Sequence, residues 1–199
     1  MDGKSLLKIW NLNKFSGVLG IFNCQGAGSW PCLNNTVEKE ISQELSGRVS
    51  PDDIEYFEEV TGNSWTGDCA VFSFNTGSLS RMPKKGSLYV KLKVLQCDIF
   101  TISPIKIYDQ NVEFAPIGLI EMYNSGGAVG SMKFFSDSSN YGINIKGKGS
   151  GRFGAYSSRK PKFCTVNTRE EEFDFKGEDN LLTLLVPVGI NSWDISIYY

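Results

Sequence analysis

Carboxylates are the side chains of this sequence that could carry general acid–base chemistry. The candidates are Asp68, Asp98, Asp109, Glu113, Glu121 and the run Glu170–Glu172. Two carboxyl groups act as acid and base only when their surroundings keep one protonated and its partner ionised. No candidate stands in a sequence context of that kind, so the sequence predicts no catalytic residue. We interpret the run Glu170–Glu172 as a solvated strand edge.

The sequence lacks the residues that most nucleophilic catalytic sites and zinc sites require. Histidine is absent, which excludes serine–histidine–aspartate and cysteine–histidine arrangements and almost all zinc sites. Five cysteines are present without a CxxC motif, at Cys24, Cys32, Cys69, Cys97 and Cys164. No neighbouring residue would hold any of them as the thiolate, which is the nucleophilic form. We therefore expect no metal and no cofactor.

The cysteine pattern also bears on the location of the protein. An odd number of widely spaced cysteines suits reduced thiols better than a disulfide framework, which predicts a cytoplasmic protein. Cys69 and Cys97 lie inside apolar, strand-like runs. We therefore expect both as buried thiols that act as small hydrophobic side chains.

Two of the four tryptophans lie on glycine-rich segments and are the candidate contact residues of the chain. Trp30 stands in GAGSWP and Trp65 in GNSWTG. An aromatic face on such a loop can stack on a sugar ring or contact a partner surface, and the alternative is partial burial at the base of the loop. Trp10, beside Ile9 and Leu12, is expected in the core instead.

Two further glycine-rich segments call for an interpretation. Residues 149–154 read GSGRFG, which formally fits the dinucleotide fingerprint GxGxxG. That fingerprint requires a helix N-terminus at the pyrophosphate, and the sequence continues into Arg159-Lys160-Pro161, which cannot extend a helix. We interpret it as a flexible hairpin loop. The second segment, Asn124–Gly127, is a loop whose backbone can approach a neighbour closely.

Composition indicates one ordinary globular domain over residues 1–199. Hydrophobic residues make up 41% of the chain and charged residues 21%, with a formal net charge of −2. This balance argues against a nucleic-acid or anionic membrane partner. No run of about 18 apolar residues occurs, so no membrane-spanning segment is predicted.

The elements that must position these residues are almost all strands. Leu6–Leu12 and Val18–Phe22 predict a strand pair joined by a short turn. The cap Ser50, followed by Pro51 and two aspartates, predicts a helix of about three turns that ends at Gly62. Val37–Leu45 is compatible with either a short helical turn or an exposed strand.

From Asp68 onward, strand-like runs recur every eight to twelve residues between turn residues. The predicted strands are Cys69–Phe74, Ser87–Leu95, Asp98–Ile102, Ile105–Asp109, Phe114–Leu119, Met132–Ser136, Asn140–Lys146, Arg152–Ser157, Lys162–Val166, Glu171–Phe175, Leu181–Pro187 and Asp194–Tyr198. This spacing is typical of an all-β, antiparallel β-sandwich-like domain with one or two short helices. The alternation within Leu88–Val94 predicts one solvated face for that strand.

Several long segments together resemble the C-terminal region of plant raffinose synthases, seed imbibition proteins and alkaline α-galactosidases. They are Lys8–Trp30, Ser50–Leu88, Leu95–Ile105, Phe114–Val129 and Gly151–Asn167. Strings such as NCQGAGSWPC and MYNSGGAV are too long and unusual to recur by chance. In this family the two catalytic aspartates lie on a (β/α)8 barrel upstream of the resembling region. No position of this chain matches those motifs, so the resemblance assigns it no catalytic residue.

The resemblance implies a fragment that is inactive alone, the accessory β-domain that braces a catalytic barrel absent from this chain. Met1 is accordingly interpreted as a cut near a domain boundary. The implied reaction is galactosyl transfer from galactinol to sucrose, which makes raffinose. One alternative is hydrolysis by an α-galactosidase of the same family. The other is a stand-alone, non-catalytic domain that binds galacto-oligosaccharides through Trp30 and Trp65.

Overall fold

The computed structural model describes residues 5–25, 44–136 and 140–199 and shows an all-β protein. Its strands are β1 (Leu7–Leu12), β2 (Gly17–Phe22), β3 (Glu44–Val49), β4 (Trp65–Ser73), β5 (Leu79–Pro83), β6 (Leu88–Lys93), β7 (Cys97–Tyr108), β8 (Val112–Leu119), β9 (Val129–Ser136), β10 (Tyr141–Lys148), β11 (Gly151–Ser157), β12 (Phe163–Val166), β13 (Arg169–Glu171), β14 (Phe173–Lys176), β15 (Leu181–Val186) and β16 (Ser192–Tyr198). The predicted opening strand pair is confirmed as β1 and β2, which are antiparallel.

The strands form three antiparallel sheets. The largest has nine strands in the order β1-β2-β7-β8-β11-β15-β14, with β4 paired to both β7 and β5. A five-stranded sheet has the order β13-β12-β16-β10-β9, and β3 pairs with β6 in a two-stranded ribbon. A sheet buries its apolar face against another layer. The two halves of the large sheet pack against different layers.

One half of the large sheet packs face to face on the five-stranded sheet and forms the sandwich. Phe114 and Phe153 from the large sheet meet Ile145, Ile195 and Trp193 from the smaller one, and all five are buried. Phe153 and Trp193 lie edge to face, with ring centroids 5.6 Å apart. The predicted all-β sandwich is therefore confirmed, and its core follows the two-residue alternation of the facing strands.

The other half of the large sheet is covered by the ribbon and the helical segment. Leu19 and Val71 of the sheet share a second buried cluster with Ile54 and Phe57 of the helical segment and Leu92 of the ribbon. Alternation along β6 leaves Tyr89 and the two lysines exposed and Leu92 buried. The predicted solvated face of this strand is confirmed.

The large sheet must bend, because Arg81 on β5 contacts Glu113 on β8 and Tyr156 on β11, which are not neighbours of β5 in the sheet. A third cluster of apolar side chains lies inside this bend. Phe72 and Leu79, from β4 and β5, share this cluster with Ile117, Tyr156 and Leu181, from β8, β11 and β15. Phe72 follows Val71, so the two side chains point to opposite faces of the sheet. The third cluster therefore lies on the face opposite the second, between two arms of the same sheet.

The helical segment differs from its prediction. The cap is confirmed, because the Ser50 side chain accepts from the Asp52 amide and the Asp53 carboxylate accepts from the Ser50 amide. The prediction of one three-turn helix is wrong. A 3-10 helix (Pro51–Asp53) and a short helix α1 (Glu58–Thr61) are separated by Tyr56, which has a φ of +59°. This left-handed residue interrupts the helix and lets Ile54 and Phe57 both enter the core.

Two strand predictions are also corrected. The predicted break at Ser103-Pro104 is absent, because β7 runs unbroken through it. Along one edge, β2 pairs as far as Ile102 and β8 begins at Lys106. Pro104 lies in this gap, where the missing proline N–H leaves no ladder hydrogen bond unmade. Strand β5 was missed, since it is short and ends in Pro83.

The buried-thiol prediction is half right. Cys69 is fully buried in the second cluster, as expected. Cys97 is exposed, so its prediction is wrong. It is the first residue of β7 and pairs with Phe22, the last residue of β2, so it lies at the end of the sheet. Among the described residues, no helix is long and apolar enough to span a bilayer.

Candidate functional site

The structure places one of the two predicted contact tryptophans. Trp65 begins β4, is half-buried against the second cluster, and its indole N–H donates to the Asp68 carbonyl at 2.7 Å. The Thr66 hydroxyl donates to the Ile105 carbonyl at 3.0 Å and accepts from the Asp68 amide at 3.1 Å. The loop is thus held by its own hydrogen bonds. Trp30 lies outside the described residues.

Asp68 joins the Trp65 loop to a charged network across the bent sheet. Arg81, on β5, donates from Nε to Asp68 Oδ2 at 2.6 Å and from Nη1 to Glu113 Oε2 at 2.5 Å. It also donates to the Tyr156 hydroxyl at 3.0 Å. The hydrogen bond with Glu113 is the main cause that raises the pKa of Arg81, so the guanidinium stays charged. One side chain therefore bridges both arms of the sheet.

This network is a structural bridge rather than a catalytic pair. In a retaining glycosidase the two carboxyl groups flank the sugar bond, and one of them delivers a proton. Here both carboxylates, Asp68 and Glu113, accept hydrogen bonds from Arg81, which occupies the space between them. Tyr156 takes a further donor of the same guanidinium. The bridge has no open position for a reacting bond.

The other candidate carboxylates lie on separate elements. Asp98 is buried on β7 and accepts from the Ser73 hydroxyl at 2.8 Å and the Asn75 amide at 3.1 Å, so it stabilises the turn after β4. Asp109 begins a 3-10 helix, and Glu121 contacts Arg152 only at 3.8 Å. The described residues therefore assemble no acid–base pair from the sequence candidates.

Within the described residues, the cysteine thiols and the metal-ligating side chains form neither a nucleophilic site nor a metal site. Burial raises the pKa of Cys69 to about 12, and it raises the pKa of Cys164 to about 12 as well. Both thiols are therefore protonated near neutral pH and are not nucleophiles. The parts of the chain that the structure describes contain no group of three or more metal-ligating side chains.

The two glycine-rich segments have structural roles. Residues 149 and 150 carry the chain from β10 in the small sheet to β11 in the large one, and residues 151–154 already belong to β11, so the prediction of a hairpin loop is wrong. A strand follows residue 150, and no helix N-terminus is present there for a phosphate. The close approach predicted for Asn124–Gly127 is confirmed, because a Cβ at Gly126 would lie 2.0 Å from the Ser16 hydroxyl.

Sequence reasoning did not find Arg81 or Tyr156. The partners of Arg81 are 13, 32 and 75 residues away along the chain. Neither residue stands in a motif, so only the register of four different strands brings them together. A lone arginine on a short strand gives no signal of this kind in the sequence.

Comparison with known proteins gives the family. The family model for raffinose synthase or seed imbibition protein Sip1 matches residues 1–186. The chain is 41% identical to probable galactinol–sucrose galactosyltransferase 1 of Arabidopsis thaliana, in an alignment of 203 positions that covers 98% of the chain. It is 38% identical over 94% of its length to galactinol–sucrose galactosyltransferase of Pisum sativum, and 33% identical over 90% to stachyose synthase of the same plant.

The matched region is a small part of each relative. It covers 27% of the Arabidopsis protein, 24% of the Pisum galactosyltransferase and 21% of stachyose synthase. The chain thus spans about a quarter of the length of these curated relatives. Since the family model covers nearly the whole chain, this protein belongs to the raffinose synthase and seed imbibition protein family.

Proposed function

We propose that this chain is the accessory β-domain of a galactinol–sucrose galactosyltransferase and braces a catalytic (β/α)8 barrel without supplying a catalytic residue. The observation that carries the proposal is the partial match, since the chain corresponds to only about a quarter of each relative. It is supported by the absence of an acid–base pair among the carboxylates of the described residues. The names of the relatives favour galactosyl transfer over hydrolysis as the reaction of the whole protein.

Rigidity of the domain supports a bracing role. Arg81 ties the two arms of the large sheet together, and three buried clusters fix the layers on both of its faces. A rigid neighbour can hold the loops of an active site in place without touching the substrate. We therefore expect the domain to act through contact with the barrel.

A complementation experiment tests this role. The 199-residue chain alone is expected to form no raffinose from galactinol and sucrose. The Pisum sativum enzyme, truncated to remove the region that matches this chain, is expected to lose activity and regain it when the folded chain is added. Raffinose formation is measured by chromatography.

Matched variants of Gly118 and Gly67 serve as controls for folding. The chain carrying Gly118→Ala is expected to be strongly destabilised and to give little recovery, whereas Gly67→Ala is expected to give full recovery. Transfer by the chain alone would overturn the proposal. Full activity of the truncated enzyme without the chain would overturn it equally.

We also propose that the protein works in the cytosol. The four cysteines within the described residues are free thiols, which suits the reducing cytosol better than an oxidising compartment. A fluorescent fusion expressed in leaf cells is expected to fill the cytosol. Accumulation in the vacuole or the cell wall would contradict this proposal.

A further inference from the structure

One end of the large sheet has an apolar face that no layer of the described residues covers. Residues that pair directly across antiparallel strands place their side chains on the same face. The register of β1, β2 and β7 aligns two such rows, Leu7–Phe22–Cys97 and Ile9–Gly20–Ile99. The Phe74 amide donates to the Ile99 carbonyl at 2.9 Å, which extends the second row onto the end of β4. We call this surface the β1–β7 face.

The β1–β7 face lies on the side of the sheet opposite the second cluster. Lys8 donates to Asp53 of the helical segment at 2.7 Å, and Trp10 packs against the second cluster. Leu7 and Ile9 alternate with these two residues, so their side chains point the other way. Within the described residues, none of the apolar side chains of the β1–β7 face belongs to any of the three buried clusters.

The aromatic rings of this face are held in place by their neighbours. The ring of Phe22 lies over Gly20, where an added Cβ would be 2.8 Å from Phe22 Cε2. Phe74 contacts Tyr123 with ring centroids 4.8 Å apart. Ile9 is nevertheless 56% exposed and Tyr123 66% exposed. A contiguous, exposed apolar surface of this kind is typical of a protein contact site.

Strand β2 is apolar on both of its faces. Its sequence is GVLGIF, and Leu19 and Ile21 are buried in the second cluster, whereas Phe22 lies on the β1–β7 face. A continuous apolar run is typical of a strand that is covered on both sides. The two rows contain no charged side chain, which favours an apolar partner surface over a charged one.

The part of the family protein that lies outside this chain can reach the β1–β7 face directly. The chain matches 27% and 24% of two relatives, so most of each relative lies outside it. The resemblance is to the C-terminal region, so the outside part precedes β1. β1 is the edge strand of the large sheet, and its Leu7 and Ile9 belong to the face. A domain joined ahead of β1 therefore adjoins the face without a long linker.

We propose that the β1–β7 face is the surface on which the preceding catalytic barrel docks. The proposal rests on the proposed function and adds the side of the domain that makes the contact. The barrel supplies the apolar layer that β2 lacks on this side. Inter-domain contacts of this kind also exclude water from the rings of Phe22 and Phe74.

Thiol labelling tests the docking surface, because Cys97 lies on the β1–β7 face and is exposed. In the isolated chain, Cys97 is expected to react with a maleimide as readily as the thiol introduced by Tyr89→Cys on the outer face of the ribbon. In a chimera, this chain replaces the matching region of the Pisum sativum galactosyltransferase. There the labelling of Cys97 is expected to slow roughly tenfold or more, because only the undocked fraction reacts. Mass spectrometry of the peptides locates and counts the labelled thiols.

A pair of glutamate variants gives the matched control. Ile9 and Tyr89 are 56% and 65% exposed, so neither change is expected to alter unfolding of the isolated chain. In the chimera, Ile9→Glu is expected to restore fast labelling of Cys97, whereas Tyr89→Glu is expected to leave it protected. Where the chimera does not fold, the same labelling is measured in the mixture of the folded chain with the truncated enzyme.

Fast labelling of Cys97 in a chimera that forms raffinose would overturn the docking surface and leave the bracing role intact. Full activity of the truncated enzyme would instead overturn the bracing role itself. Protection of Cys97 in the isolated chain would also contradict the proposal. Protection that grows with protein concentration would assign the face to a second copy of the chain, and protection at every concentration would assign it to another part of the same chain.

Discussion

Replacing Gly118 by alanine is expected to lower the free energy of unfolding by more than about 4 kcal/mol, a large fraction of the stability of a small domain. Gly118 has a φ of +96°, which only glycine adopts readily. An added Cβ would lie 2.0 Å from the Ser125 carbonyl oxygen and 2.6 Å from its carbonyl carbon. Ser125 cannot yield easily, since it is buried and its hydroxyl is 2.6 Å from that of Thr101.

The matched variant Gly67→Ala separates the steric clash from the backbone strain. Gly67 has a φ of +90°, close to that of Gly118, but nothing lies within 4 Å of the position of its Cβ. Alanine there is expected to cost only about 1–2 kcal/mol, the strain of a left-handed residue. Urea unfolding followed by tryptophan fluorescence measures both variants. Equal losses at the two positions would contradict the clash at Gly118.

Replacing Arg81 by methionine is the second large expected effect, a loss of about 2–3 kcal/mol in the free energy of unfolding. The change removes four hydrogen bonds to Asp68, Glu113 and Tyr156 and leaves two carboxylates without their cation. The side chains of Arg81, Asp68 and Glu113 are 38%, 30% and 24% exposed. Solvent therefore screens part of the interaction, which keeps the expected loss below that of a fully buried pair.

Arg152→Met is the matched control for the loss of a charged side chain. Arg152 is 45% exposed and lies 3.8 Å from Glu121 and 3.9 Å from Asp174, so its ion pairs are loose. Its removal is expected to change the free energy of unfolding by less than about 0.5 kcal/mol. Thermal and urea unfolding of both variants measure the difference. A loss for Arg152→Met as large as that for Arg81→Met would show that the bridge has no special role.

Local signals in the sequence predicted much of the fold. Alternation between Leu88 and Lys93 marked the solvated face of β6, and Ser50-Pro51-Asp52-Asp53 marked the cap, since both patterns depend only on adjacent residues. The glycine run at residues 124–127 marked a close backbone contact. These features follow from propensity and side-chain direction, which neighbouring residues already determine.

Long-range contacts account for the failures. The helix predicted to run on from Pro51 is interrupted, because Ile54 and Phe57 are both buried in the second cluster and Tyr56 between them is left-handed. Pro104 lies within β7 because the gap between two pairing strands admits it, and the position of that gap is a property of the sheet. Cys97 is exposed because it stands at the end of the sheet, although its local run is apolar.

The sequence by itself determined the family, the all-β class and the absence of histidine, since these depend on residue types and local order. Tertiary structure alone decided which polar groups meet. The Arg81 bridge joins residues up to 75 positions apart. Such contacts depend on strand register and on the bend of a sheet. Both arise from packing of the whole chain, because a strand's partner is not encoded in its own residues.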